Sequence, residues 1–205
     1  MMSVLNIESP QNKMVYIVLV KKENNALLNE KQYNLCDQVL SEHKFEFVTV
    51  DMEGESKFNP KSLVKVIGKC PIESHGIDIP AFAAGYLHEE IDDLKEQVAG
   101  LQAEYDAMDD KESMMAQNMD SWIAVLKDEI AGKESALEND IKPKWLVKRI
   151  LDIAASFTED EVYVLHFGVE SLLPAMKTLL ESTENVKVAV LDATEKKAPS
   201  QIIFA

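Results

Sequence analysis

Cysteine is nearly missing from this chain: Cys36 and Cys70 are the only two in 205 residues, and neither has a His or Cys neighbour at ligand spacing. That excludes a disulfide framework and a zinc site, and is ordinary for two buried thiols in a reducing cytosol. Glycine is scarce too, at seven residues, and none builds the glycine-rich fingerprint of a dinucleotide or P-loop phosphate site. No stretch of transmembrane length is free of charges, and Met1 to Met14, with Glu8, Pro10 and Lys13, lacks an apolar signal core. A cytoplasmic protein away from membranes is expected. Proline is missing between Pro80 and Pro143, so nearly all of that stretch can be helical. Positive charge is the last deficit: from Tyr86 to Asp140 sixteen Asp/Glu face four Lys, which supplies −12 of the net −15. Such a field repels nucleic acid and anionic lipid, so no direct nucleic-acid binding is expected, and any electrostatically steered partner should be basic.

What remains is an ordinary folded composition, 46% apolar and 28% charged, long enough for one well-buried core. Met14 to Val20 is a continuous β-branched apolar run, which suits a strand covered on both faces and ended by Lys21 and Lys22. A helical stripe over Leu27 to Glu42 and an alternating strand from Lys44 to Asp51 complete a β-α-β unit. Asn59-Pro60 opens a further helix that Gly68 stops. After the proline-free stretch the pattern returns: helix Trp145 to Phe157, strand Glu161 to Phe167, helix Leu172 to Ser182, strand Val186 to Asp192. The tail Gln201 to Phe204 suits one more edge strand. Val15-Tyr16-Ile17 and Val162-Tyr163-Val164 open the two β-α-β units alike, a similarity that chance explains as readily as duplication.

The strongest pattern is a heptad seam, Leu87, Ile91, Leu94, Val98, Leu101, Tyr105 and Met108. Over three clean heptads it favours a coiled coil over a helix packed on the protein's own core. The next core position is Glu112, after which Met115, Met119, Trp122 and Leu126 resume the phase. Continuous phase suits one long helix. Topology suits a hairpin, because the segment after Thr158 is too short to bury its own core at the far end of a rod. A turn at Asp109-Asp-Lys-Glu-Ser113 would bring the chain back; a continuous helix would instead need a second, antiparallel chain. Gly100, Ala103 and Ala107 form a second stripe of small residues.

Chemistry has one candidate location. If the strands are parallel, their C-terminal ends gather Lys21, Asp51, the His166-Phe-Gly168-Val-Glu-Ser171 turn and Asp192 at one rim, where α/β proteins bind ligands. A histidine, a turn opening a helix and two carboxylates suit a phosphate-bearing molecule. Strand-end Asp residues and a rim histidine are also common turn formers and hydrogen-bonded scaffold. His43, His75 and His88 are scattered and carry no assigned role, no nucleophile–base pair is visible, and no metal or cofactor is expected. Lys142, Lys144, Lys148 and Arg149 form a basic patch at the start of the Trp145 helix.

The order strand 14–20, helix, strand 45–50, helix 60–67, then Ile79-Pro80 and Asp92-Asp93-Leu94, resembles a glutaredoxin of the thioredoxin-like fold. In that family an apolar residue and a cis proline precede a strand, and an acidic-Leu start opens the last helix. The resemblance covers under half of the chain. It lacks the Cys-x-x-Cys, since the stretch around Leu28-Asn-Glu-Lys31 holds no cysteine, and His88, Glu89 and Glu90 stand where the family has its glycine pair. It therefore implies a scaffold without thiol chemistry, and Cys36 lies inside a helix rather than at its start.

The sequence thus indicates an α/β fold, thioredoxin-like or Rossmann-like, interrupted by a long coiled-coil insertion: residues 1–85, an acidic arm over 86–141, and a completing helix and β-α-β over 142–205. The expected function is a non-catalytic interaction or assembly protein, binding a protein partner or a second copy through the arm. Two alternatives stand beside it: a phosphate- or nucleotide-ligand sensor or enzyme at the rim, and an acidic nucleic-acid mimic that inhibits a DNA-binding protein.

Overall fold

A computed structural model describes residues 5–22, 38–41, 43–51, 72–191, 202 and 204, apart from the side chains of Lys22, Ala81 and Leu87. Most of the helix expected over 27–42, the helix expected over 60–67, both cysteines and Asp192 lie outside these residues. The chain divides into two compact units, one of Met1–Ile79 with Ile141–Ala205, the other of Pro80–Asp140.

The first unit is built on a five-stranded sheet: β1 (Met14–Lys22), β2 (Phe47–Val50), β3 (Glu73–Gly76), β4 (Glu161–Val169) and β5 (Val186–Leu191). The spatial order is β3-β2-β4-β1-β5 and every pairing is parallel. β1 therefore lies between β4 and β5, so the C-terminal β-α-β does not form a sheet of its own; it takes a strand from the N-terminal half into its middle. The two similar openings become neighbours in register, Val15 with Val162, Tyr16 with Tyr163 and Ile17 with Val164. The Tyr16 and Tyr163 rings stack at 4.6 Å between centroids and 7° between planes.

Alternation sends side chains to two cores. Val15, Ile17, Leu19, Phe47, Val162, Val164 and Val188 face one side with Leu146, Val147, Ile150, Leu172, Met176 and Leu180. These last six come from the helix Lys142–Ser156, its N-terminal flank aside, and from Leu173–Glu181 with the residue before it. Val18, Val20, Val48, Val50, Leu165, Phe167 and Leu191 face the other side with Val39, Leu40 and Phe45. A sheet buried on both faces explains the unbroken apolar run of β1.

Three features differ from the sequence reading. Lys21 and Lys22 do not end β1 but belong to it, because β4 continues as its partner through Gly168 and Val169. β3, Glu-Ser-His-Gly, is an edge strand with no apolar pattern, held only by pairing to β2. Ile202 and Phe204, the described part of the tail, lie in no strand.

The second unit contains α1 (Ala81–Asp106) and α2 (Met114–Ala136), joined by residues 107–113. In chain order, Lys142–Ser156 is then α3 and Leu173–Glu181 is α4. A π-helical turn, Leu137–Ile141, lies between α2 and α3. α1 and α2 run antiparallel, as the cross-pairs Lys133–Glu90 at 2.9 Å and Lys127–Gln102 at 3.3 Å show, and Lys95 pairs with Glu134 at 2.8 Å. The turn has a local cause: the Asp110 carboxylate accepts from the Glu112 amide at 2.9 Å, and Ser113 caps α2 by accepting from the Ala116 amide at 3.2 Å.

The glutaredoxin resemblance meets two discrepancies here. The strand it expects after Ile79-Pro80 is replaced by α1, which starts at Ala81 with Pro80 as its N-cap, and no described peptide bond is cis. Every strand pairing is parallel besides. What the structure supports is a mixed α/β protein with a five-stranded parallel sheet.

Candidate functional site

The parity of the strands decides which rim residues meet. Lys21, Thr49, Asp51, His166 and Gly168 follow Ile17, Phe47 and Val164 at even spacing, so all five sit on the α3/α4 side of the sheet near its C-terminal edge. β4 is central: β2 brings Thr49 beside His166, and β1 brings Lys21 beside Gly168.

Each has work inside the fold. His166 is fully buried, and its Nδ1 lies 3.0 Å from the Thr49 hydroxyl, itself fully buried. Asp51 extends the β2–β4 pairing past its last strand residue: its amide donates to the Phe167 carbonyl at 3.2 Å, and its carboxylate accepts from the Val169 amide at 2.7 Å. Lys21 forms an ion pair with Glu170 at 2.5 Å. Gly168 is not part of an open phosphate-binding turn but a buried strand residue. A Cβ there would lie 2.7 Å from His166 Nε2 and 2.7 Å from Leu173 Cδ2, so glycine lets the imidazole and the first residue of α4 close over the strand. Ser171 is exposed in the turn before α4, and Asp192 lies outside the described residues.

Beside this rim is a cleft of about 450 Å³ lined by Lys21, Glu170, Leu173, Pro174, Lys177, Val190 and Leu191. Its two lysines are both engaged, Lys21 by Glu170 and Lys177 by Glu181 at 3.5 Å. A second cleft, of about 580 Å³, opens at the other end of the sheet between His43, Phe45, Glu46, Glu159, Glu161, Tyr163 and Phe204. The sequence reading assigned nothing there. The sequence signal nearest to this cleft is the Tyr16–Tyr163 match, whose rings meet Phe204 edge-on at 5.1 and 6.3 Å. Removal from water, reinforced by the Glu161 carboxylate, pushes the Tyr163 phenol above its usual range.

The remaining polar candidates are scattered. His75 stands 3.2 Å from Glu73 on the edge strand, and His88 is exposed on α1. In the basic patch, Lys142 lies 3.8 Å from Asp78 and Lys148 3.2 Å from Asp152. No group of three His, Cys, Asp or Glu suited to a metal ion occurs among the described residues, and no described helix is long and apolar enough to cross a membrane.

The hairpin presents the other candidate surface. On α1, Ile91 is buried and Leu94, Val98, Leu101 and Tyr105 are half-buried in a run of exposed residues, as is Met108 just past its end; the side chain of Leu87 lies outside the described residues. Gly100, Ala103 and Ala107 are exposed, and a Cβ on Gly100 would meet nothing. On α2 the inward residues coincide with the expected positions at Met119 and Leu126 alone. Ala116, Ile123, Leu126 and Ile130 are the buried residues, with Met119 half-buried, whereas Met115 and Trp122 are exposed at 66% and 56%. Apolar residues come in adjacent pairs here, Met115-Ala116, Trp122-Ile123 and Val125-Leu126, and in each pair the second residue turns inward and the first outward.

No protein-family description, curated protein or solved structure matches the chain. The class is therefore fixed by architecture alone, a parallel five-stranded α/β sheet protein.

Proposed function

We propose that this is a non-catalytic interaction or assembly protein that works through its acidic helical hairpin. One observation carries the reading: while Ile91 on α1 and Ala116, Ile123, Leu126 and Ile130 on α2 are buried, Met114, Met115, Trp122 and Val125 remain more than half exposed on α2. Monomeric proteins rarely leave large apolar side chains clustered in water unless something covers them. The rim supports the same reading from the other side, because Thr49, Asp51, His166 and Gly168 are engaged in closing the sheet. The thioredoxin-like scaffold is not part of this proposal, given the parallel sheet.

A second reading rests on the 450 Å³ cleft, whose two lysines beside an apolar wall would suit a phosphate-bearing ligand. A thermal-shift panel of inorganic phosphate and nucleotides on the full chain separates the two. The interaction reading expects no stabilisation; a rise in melting temperature that disappears in Lys21→Ala would favour the cleft. Light scattering of the wild type and Trp122→Ser over a range of concentrations tests assembly directly.

A further inference from the structure

Resting on the interaction reading of the hairpin, we infer that its partner is a basic amphipathic helical segment of another protein, laid along the outer stripe of α2. At about 100° per residue, the seam residues Ala116, Met119, Ile123, Leu126 and Ile130 occupy an arc of about 80°. Met114, Val125, Trp122 and Met115 fill the adjoining arc of about 100°. Their exposures are 79%, 53%, 56% and 66%. From Met114 to Val125 the stripe runs about 16 Å along the axis, the length of three helical turns. Two methionines beside a tryptophan give an adaptable apolar surface with one rigid anchor, which suits an i, i+3, i+4, i+7 helix face.

Charge selects among the occupants of such a surface. The unit carries sixteen acidic residues against Lys95, Lys111, Lys127 and Lys133, and all four lysines are engaged within the hairpin. Lys95 and Lys133 bond Glu134 and Glu90, Lys127 donates to Gln102 at 3.3 Å, and Lys111 donates to the Tyr105 carbonyl and lies over its ring. Asp128 borders the line of the apolar stripe and Glu129 continues it, with Lys133, 3.7 Å from Glu129, as a counter-charge. A second copy would set one −12 hairpin against another, and nucleic acid or anionic lipid is repelled in the same way. A segment with apolar residues on one face and Lys or Arg beside them matches both the stripe and its surroundings.

Trp122 is its own reporter. The full chain is titrated with a synthetic helical peptide of Leu and Lys in the i, i+3, i+4, i+7 pattern, and with the same peptide carrying Glu for Lys. The Leu/Lys peptide should move tryptophan emission to shorter wavelength, with an affinity that falls several-fold as salt is raised, and the shift should vanish in Trp122→Phe, which keeps only Trp145. The Leu/Glu peptide should give no shift. Met115→Ser with Val125→Ser, both at exposed positions, should weaken binding about tenfold while circular dichroism stays unchanged. Equal binding of the two peptides, no shift with either, or full binding by the Ser variant overturns the inference. If the wild type is instead a dimer that the Ser variant makes monomeric, the hairpin is still an interaction arm and only the partner assignment fails. If the peptides have no effect and the mass is monomeric throughout, both fail.

Discussion

Gly168→Ala puts the closing of α4 over the sheet to a quantitative test. The new methyl would stand 2.7 Å from both His166 Nε2 and Leu173 Cδ2, about an ångström inside ordinary carbon contact. The imidazole cannot swing away freely, since it is fully buried and its Nδ1 sits 3.0 Å from the Thr49 hydroxyl. Leu173 can turn its end, but into the packed cluster around Leu172 and Met176. Overpacking of this kind costs about 1–3 kcal/mol, against which alanine gains about 0.4–1 kcal/mol by restricting the unfolded chain. The net expectation is destabilisation, at about 2–4 °C of melting temperature per kcal/mol. Trp145 reports it specifically, since it belongs to the same unit and donates its indole N–H to the Ile77 carbonyl at 2.9 Å. Urea titration should lower the midpoint with an unchanged slope. A double-mutant cycle with Leu173→Ala isolates the contact. Leu173→Ala alone removes a buried side chain, yet it also relieves half of the overlap, so the two changes together should cost less than their sum by about 0.5–3 kcal/mol. Additive costs, or a Gly168→Ala chain within about 0.5 kcal/mol of the wild type, would refute the close-packing account.

Thr49→Val keeps the volume but takes the hydroxyl from His166, and should cost about 1–3 kcal/mol in the same urea titration for leaving a buried polar atom short of its partner. Ser113→Ala removes the α2 cap and should cost about 0.5–2 kcal/mol, read as an earlier loss of helical circular dichroism; Ser113→Asp should restore it. Tyr163 gives an alkaline signature: its folded-state pKa is raised, first by desolvation and then by Glu161. Its contribution is therefore complete below the free tyrosine value and is lost as pH rises from about 10 through the folded value. Phenolate absorbance should show one tyrosine ionising late, and Tyr163→Phe should flatten the alkaline fall in stability. Lys95 and Lys133 are likewise held above the lysine range, chiefly by hydrogen bonds to Glu134 and Glu90. Hairpin helicity should accordingly decline as pH passes the ordinary lysine value upward, and the decline should shrink at high salt because both pairs face solvent.

Legibility followed the strength of local pattern. β1 was readable because a strand covered on both faces needs an apolar residue at every position, and Met14 to Val20 supplies one. α4 and β5 were readable from periodicity. β3 was not, since Glu-Ser-His-Gly has no apolar alternation and exists only because β2 offers it an edge. At the rim, the neighbourhood of Lys21, Asp51, His166 and Gly168 follows from the parallel strand ends. Their engagements do not: nothing local says that the Asp51 carboxylate will accept the Val169 amide, or that Gly168 leaves room for the His166 ring and Leu173.

By itself, the sequence determined the local periodicities, the acidic character of residues 86–140 and the α1 seam. For the arm it left a hairpin and one continuous helix both open, since the heptad phase resumes after Glu112 while the polar residues 109–113 suit a turn. Tertiary structure alone decided the strand order β3-β2-β4-β1-β5, which depends on contacts between segments nearly 150 residues apart. It alone also chose which residue of each adjacent apolar pair on α2, at 115–116, 122–123 and 125–126, turns inward. Packing in the hairpin enclosed Ala116, Ile123 and Leu126 and left Met115, Trp122 and Val125 to the solvent.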